Sequence, residues 1–147
     1  MQKKIVYRDI RRYKYQLLDD YVIGIDIHPP EEILEPPPPL GTYVRLGTDG
    51  RLTLSRFYAW DGPSGPSIDT KNFMRGSLVH DALYQLIRAG RIPETSREYA
   101  DGLLRAICIE DGMSRFRAWY VHRAVWLFAK CAARPGRRDD LIVRTAP

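Results

Sequence analysis

The stretch DTKNFMRGSLVHDALYQLIRAG, residues 69–90, divides the chain into a β-rich half and a helical half. Asp69 or Thr70 is a suitable N-cap, and Gly90 followed by Pro93 provides a stop signal. The stretch therefore predicts a helix, and this helix carries a histidine and an aspartate side by side within an apolar run.

Before this helix, the pattern is typical of short β-strands. Four runs are rich in β-branched and aromatic residues: YKYQLL, YVIGIDI, TYVRLGT and LTLSRFYAW. Asp49-Gly50 between the last two predicts a hairpin. Residues 28–40 include four consecutive prolines, which favour an extended surface loop over a paired strand. A Pro-rich docking peptide is the alternative interpretation of this loop.

After the first helix, which ends near Arg88, two more are predicted, from Thr95 or Ser96 to Glu110 and from Ser114 to about Ala133. We therefore expect an α+β fold in which a small N-terminal antiparallel sheet packs on a three-helix C-terminal unit. The third helix is too apolar for a free surface helix, so four of its residues are assigned to the core or a subunit contact: Trp119, Val125, Trp126 and Phe128.

The length of 147 residues is appropriate for a single domain, 1–147. We divide it into a β-rich part (1–60), a loop with three helices (61–134) and a charged tail (135–147). No apolar run reaches the roughly 20 residues of a membrane span, and the basic N-terminus lacks the apolar core of a signal peptide. These features predict a chain that works or assembles in a cytoplasm.

The two cysteines and the distribution of charge further limit the kind of protein that this sequence can encode. The two cysteines, Cys108 and Cys131, occur in helical patterns, which favours reduced, buried thiols over a disulfide framework or a zinc site. Residues 111–147 contain eight Lys and Arg against three Asp, which equals the net charge of +5 of the whole chain. Such a segment suits anionic lipid or an acidic partner, and specific nucleic-acid binding is disfavoured because no accompanying motif is present.

The residue types suited to catalysis lie on the first two helices. His80 and Tyr84, four residues apart, share a helix face, and Asp81 lies about 100° round the helix. The connection between the two helices is short, so they are expected to pack antiparallel and to bring Asp101 beside His80. A carboxylate bonded to an imidazole fixes its tautomer for general base catalysis. The alternatives are a structural polar pair for His80 and Asp81, and for Asp101 either an exposed aspartate or a helix-edge ion pair with Arg105.

The loop before the first helix is a candidate cation site. Gly62 and Gly65 permit unusual backbone angles, so that carbonyl oxygens can turn inward. Together with a carboxylate, such oxygens suit a hard cation such as calcium. The alternative is a plain strand-to-helix connection.

The span from Gly62 to about Ile107 resembles the core of phospholipase A2 enzymes, especially the disulfide-free type of parvoviral capsid proteins. The matching parts are GPSG, HDALY, LIRAGRIP and the aspartate of YAD. The resemblance implies that His80 is the base, Asp101 its orienting partner and Tyr84 a donor to Asp101. It also implies that calcium is held by Asp81 and by the loop, at Gly62, Ser64 and Gly65. Asp61 and Pro63 depart from the usual glycine pattern of that family.

Nearly the whole chain also resembles a phage and prophage family of unassigned function. The matching motifs are WDGPSGP (60–66), RGSLVHDALY (75–84) and the pair Ala100-Asp101. This resemblance implies synthesis in a host bacterial cytoplasm, with other virion proteins and a homo-oligomer among the expected partners. Two functions follow. One is a virion or assembly component of tail, neck or baseplate, built around His80, Asp81 and Asp101. The other is a calcium-dependent lipid ester hydrolase, with anionic membrane lipid as partner, acting at host entry or release.

Overall fold

The protein has an α+β fold, as the sequence predicts. A computed structural model describes residues 4–10, 15–62 and 70–132, apart from the side chains of Val125 and 128–132. Its strands are β1 Tyr7–Asp9, β2 Tyr15–Leu17, β3 Tyr21–Gly24, β4 Ile33–Glu35, β5 Val44–Leu46, β6 Arg51–Leu54 and β7 Ala59–Trp60. Its helices are α1 Lys71–Arg88, α2 Ser96–Glu110 and α3 Arg115–Ala132.

The strands form two antiparallel sheets rather than one. The first has the order β1-β2-β7 and the second the order β3-β6-β5-β4. On the first sheet the rings of Tyr7, Tyr15 and Trp60 meet with centroids 5.4 to 5.8 Å apart. The Trp60 indole Nε1 donates a hydrogen bond to Ser77 Oγ at 3.1 Å, and this bond ties the sheet to α1.

The predicted hairpin joins β5 to β6. Gly50 has a φ of 77° and sits against the chain, since a Cβ there would lie 2.4 Å from the carbonyl oxygen of Ile25. Asp49 Oδ1 accepts a hydrogen bond from the amide of Arg51 at 3.0 Å, which closes the turn. Only glycine meets both demands at position 50.

The Pro-rich segment contains a strand that the sequence pattern did not predict. β4 lies within 28–40 and pairs with β5, with Leu34 opposite Arg45. The chain leaves the sheet at Pro36, and residues 37–40 are exposed. Because the three residues before the prolines pair with β5, the exposed surface loop is shorter than expected.

The helix α1 supplies much of the core. Its buried apolar residues pack with the inner faces of the sheets; they include Leu78, Val79, Ala82, Leu83 and Leu86. At its start, Arg75 is buried and forms hydrogen bonds with Asp111 at 2.7 and 3.0 Å, at the end of α2. Because the start of one helix meets the end of the other, α1 and α2 run antiparallel, as predicted.

The two helices approach closely at Gly76. A Cβ there would lie 2.9 Å from both Cys108 Sγ and Leu104 Cδ1 on α2. Burial raises the pKa of the Cys108 thiol to about 12, which makes it unreactive. The predicted reduced, buried state is confirmed for Cys108, whereas the side chain of Cys131 lies outside the described residues.

The third helix directs two of its tryptophans away from the core of the chain. Trp119 and Trp126 are 47% and 38% exposed, so they are not core residues, and their assignment to a subunit contact stays a prediction. The small residues Ala118 and Val121 face the interior instead, and they pack in a cluster with Phe73, Leu104, Cys108 and Met113. The side chains of Val125 and Phe128 are not described. No helix in the described chain is long and apolar enough to cross a membrane.

Candidate functional site

The antiparallel packing of α1 and α2 brings together the side chains that the sequence singled out. His80 Nε2 lies 2.8 Å from Asp101 Oδ1, and the Tyr84 hydroxyl donates to the same oxygen at 2.9 Å. The rings of His80 and Tyr84 lie against each other, one helical turn apart, with centroids 4.2 Å apart. We refer to His80, Tyr84 and Asp101 as the triad.

The hydrogen-bond geometry identifies the tautomer of His80. An ionised carboxylate only accepts hydrogen bonds, so Nε2 must carry the proton that points to Asp101. In the neutral imidazole, Nδ1 then keeps its lone pair and can accept a proton. Asp101 therefore holds His80 in the form that a general base requires.

The triad is deeply buried. The side chain of Asp101 is 1% exposed and that of His80 is 10% exposed. Since Asp101 is not at the surface, the alternative of an exposed aspartate is wrong. Its second oxygen, Oδ2, is buried without a hydrogen bond to any residue that the structure describes. An unpaired buried acceptor costs about 1–3 kcal/mol.

The environment raises the pKa values of both His80 and Tyr84. Burial lowers the pKa of His80, but its hydrogen bond to Asp101 and the nearby Asp81 outweigh burial, so that the pKa lies above its ordinary value. Burial and the charge of Asp101 raise the pKa of Tyr84. Tyr84 thus remains a hydrogen-bond donor at any physiological pH, and His80 titrates higher than a solvated histidine does.

Asp81 borders the free nitrogen of His80. Its Oδ1 lies 3.7 Å from His80 Nδ1, which is longer than a direct hydrogen bond. A separation of this kind is compatible with a bridging water. Asp81 is 27% exposed, so solvent reaches its side chain, whereas that of His80 is 10% exposed.

The predicted calcium ligands are only partly within the described chain. Asp81 is the carboxylate of the set, while Ser64 and Gly65 belong to residues 63–69, outside the described ranges. Gly62 has a φ of 69° and backs onto the ring of Tyr15, where a Cβ would lie 2.6 Å from Cε2. Over 4–10, 15–62 and 70–132, no group of three or more His, Cys, Asp or Glu could hold a metal.

Sequence reasoning missed the buried charges around Arg75. Its guanidinium pairs with Asp111 and with Glu110, and it is 2% exposed. These hydrogen bonds raise its pKa despite its burial. The argument that paired His80 with Asp101 would also have found this cluster, because antiparallel helices place the start of α1 at the end of α2.

A cavity of about 790 Å³ lies at the start of α1. Its lining includes Lys4, Lys71, Asn72, Arg75 and Arg117, and neither His80 nor Asp101 contributes to it. This cavity is therefore not the approach to the triad.

Comparison of the chain with protein-family models, with curated proteins and with solved structures finds no match. The resemblances to phospholipase A2 and to a phage family thus remain predictions from short motifs. The geometry of the triad is therefore the basis for a functional proposal.

Proposed function

We propose that the protein is a lipid ester hydrolase in which His80 is the general base and Asp101 its positioning residue. The observation that supports this most is the 2.8 Å contact between His80 Nε2 and Asp101 Oδ1. Because the bond to Asp101 uses Nε2, Nδ1 is left on the side of the partly exposed Asp81.

The reaction uses this arrangement directly. Nδ1 accepts a proton from a water molecule, and the water oxygen attacks the ester carbonyl carbon. Asp101 stabilises the imidazolium that forms, while the hydrogen bond from Tyr84 holds the carboxylate in place. Collapse of the tetrahedral intermediate breaks the ester C–O bond. The imidazolium then returns its proton to the leaving alkoxide, yielding a fatty acid and an alcohol.

Calcium dependence is a separate part of the proposal. It derives from the resemblance of the 62–107 span to phospholipase A2, and Asp81 is the described carboxylate beside His80 Nδ1. Chelation of calcium during the assay tests it. Activity that persists in excess chelator would remove the metal from the proposal but leave the role of His80 intact.

An assay of fatty-acid release from phosphatidylglycerol vesicles tests the proposal. Asp101→Asn keeps the size of the side chain but removes its charge, and should lower the rate by about 10⁴-fold because the imidazole is no longer held in the correct tautomer. His28→Asn, at an exposed turn histidine, is the matched control and should leave the rate unchanged. Equal rates for Asp101→Asn and the wild type would refute the proposed role of Asp101.

A second function is favoured by the burial of the triad. With Asp101 at 1% and His80 at 10% exposure, the same bonds would suit a polar network that fixes α1 against α2 in a virion component. In that case the wild type releases no fatty acid, and the chain is found by mass spectrometry in purified phage particles. A hydrolase carried by the particle would instead release fatty acid and also be found in the particles.

A further inference from the structure

The solvent-facing side of α3 is unusually apolar. Phe116 is 78% exposed, Trp119 47% and Trp126 38%, and Tyr120 and Leu127 are more than half exposed. A soluble helix normally directs such residues towards the core. Here Ala118 and Val121 already occupy the positions of α3 that face the interior. The large exposed side chains therefore do not belong to the face of α3 that packs on the core.

The exposed residues form one continuous surface. At 100° per residue, they occupy an arc of roughly 120° on the helix. Phe116 and Trp119 stack with centroids 6.2 Å apart. The Arg123 guanidinium lies 5.9 Å from the ring centroids of both Trp119 and Trp126. We define the aromatic face of α3 by these six residues: Phe116, Trp119, Tyr120, Arg123, Trp126 and Leu127.

The charge of the helix restricts what can cover this face. α3 contains three arginines and a lysine, and no Asp or Glu. Arg123 lies near the middle of the aromatic face. Symmetric pairing with a second copy would bring two positively charged helices together without an acidic partner on either, which is unfavourable. A nucleic acid would satisfy the arginines but leave Leu127 and Phe116 without an apolar environment.

We propose that the aromatic face of α3 docks on an anionic lipid surface. A helix that combines exposed aromatic and aliphatic side chains with arginine is suited to the interface of a bilayer, with the apolar groups in the acyl boundary and the long arginine side chain extended to the headgroups. The choice of a lipid partner rests on the proposed function, since a lipid ester hydrolase must reach a membrane. The docking surface itself is separate from the triad.

Binding to vesicles tests the proposal without requiring catalysis. The full chain is sedimented with phosphatidylcholine vesicles that contain or lack phosphatidylglycerol, and the tryptophan emission is recorded. Trp60 is buried, so a blue shift on binding reports mainly on Trp119 and Trp126. We expect binding to the anionic vesicles, a blue shift, and weakening of both by salt.

Variants test whether vesicle binding depends on the aromatic face of α3 in particular or on exposed apolar residues in general. Trp119→Ala combined with Leu127→Ala should weaken binding by about tenfold or more, because each removes apolar area from the bilayer. Leu40→Ala, at an exposed leucine outside α3, is the matched control and should bind as the wild type does. Arg123→Gln should weaken binding to anionic vesicles and reduce the salt dependence.

The outcomes distinguish this proposal from the hydrolase proposal. His80→Asn should bind vesicles as the wild type does, and binding without fatty-acid release in the wild type refutes only the hydrolase. Release from detergent-dispersed lipid without vesicle binding refutes only the docking surface. The docking proposal is also overturned if the double variant binds equally well, or if its main effect is to abolish a dimer or a nucleic-acid complex.

Discussion

One oxygen of Asp101 accepts hydrogen bonds from two side chains, His80 and Tyr84. The properties of the site follow from this shared acceptor. Tyr84 cannot ionise at physiological pH, so it always donates, and His80 has to adopt the tautomer with its proton on Nε2. The second oxygen of Asp101, Oδ2, is buried and has no hydrogen bond to the described residues, so within these residues the hydrogen bonds of the carboxylate are concentrated on Oδ1.

Removing the Tyr84 hydroxyl should weaken the site without destroying it. Tyr84→Phe deletes a hydrogen bond to a buried carboxylate and should lower the free energy of unfolding by about 1.5–3 kcal/mol. Urea denaturation measures the effect. Tyr120→Phe, at an exposed position on α3, should change it by less than about 0.5 kcal/mol. A similar loss in both variants would mean that the bond from Tyr84 to Asp101 contributes nothing specific.

The raised pKa of His80 predicts how stability and activity depend on pH. Because its pKa in the folded chain lies above the unfolded value, the extra stability is fully present below about pH 6.5 and is lost as pH rises through the folded pKa. Activity should change in the opposite direction, since the base must be neutral. His80→Asn should abolish this pH dependence of the unfolding free energy. Persistence of the same dependence in the variant would assign it to other groups.

At the scale of elements, the separation of α1 from α2 decides whether the triad can form. Gly76→Val should cost about 1–3 kcal/mol, because its side chain would collide with Leu104 and Cys108 on α2. Gly102→Ala on α2 is the matched control: a Cβ there meets nothing within 4 Å, so helix propensity should stabilise the protein by about 0.5–1 kcal/mol. Thermal unfolding distinguishes the two, and equal effects would contradict the close approach at Gly76.

The two faces of α3 should also differ in their contribution to stability. Trp119→Ala on the exposed face should change the free energy of unfolding by less than about 1 kcal/mol. Leu104→Ala, within the cluster that α3 packs against, should cost about 2–5 kcal/mol. A large loss for Trp119→Ala in the monomer would place this residue in the core, which was one of the two expected positions.

For the whole molecule, periodicity predicted the α+β class and the helix bounds closely, because the apolar residues of α1 and α2 face one core. The hairpin at Gly50 was also predictable, since its turn requires glycine. β1 and β4 were missed because their short sequences, YRD and ILE, include charged residues and adjoin a basic run and a proline run, so that no apolar pattern stands out. The division into two sheets is likewise a tertiary property.

The triad was predictable from helix connectivity, whereas the exposure of the aromatic residues of α3 was not. A short connection implies antiparallel helices, and the positions of His80 and Asp101 then follow from helical spacing. Hydrophobicity, however, does not distinguish an apolar residue that packs in the core from one that is exposed on the surface. The face of α3 therefore required the structure, in which Ala118 and Val121 occupy the interior-facing positions.

The rate of fatty-acid release by His80→Asn, compared with the wild type on phosphatidylglycerol vesicles, tests the central claim most directly. Asparagine retains a polar group of limited size but cannot act as a base near neutral pH, and circular dichroism should confirm that the variant is folded. The proposed role of His80 predicts release by the wild type and its loss in the variant, by about 10² to 10⁴-fold or more. Release at the wild-type rate by the folded variant would contradict the account.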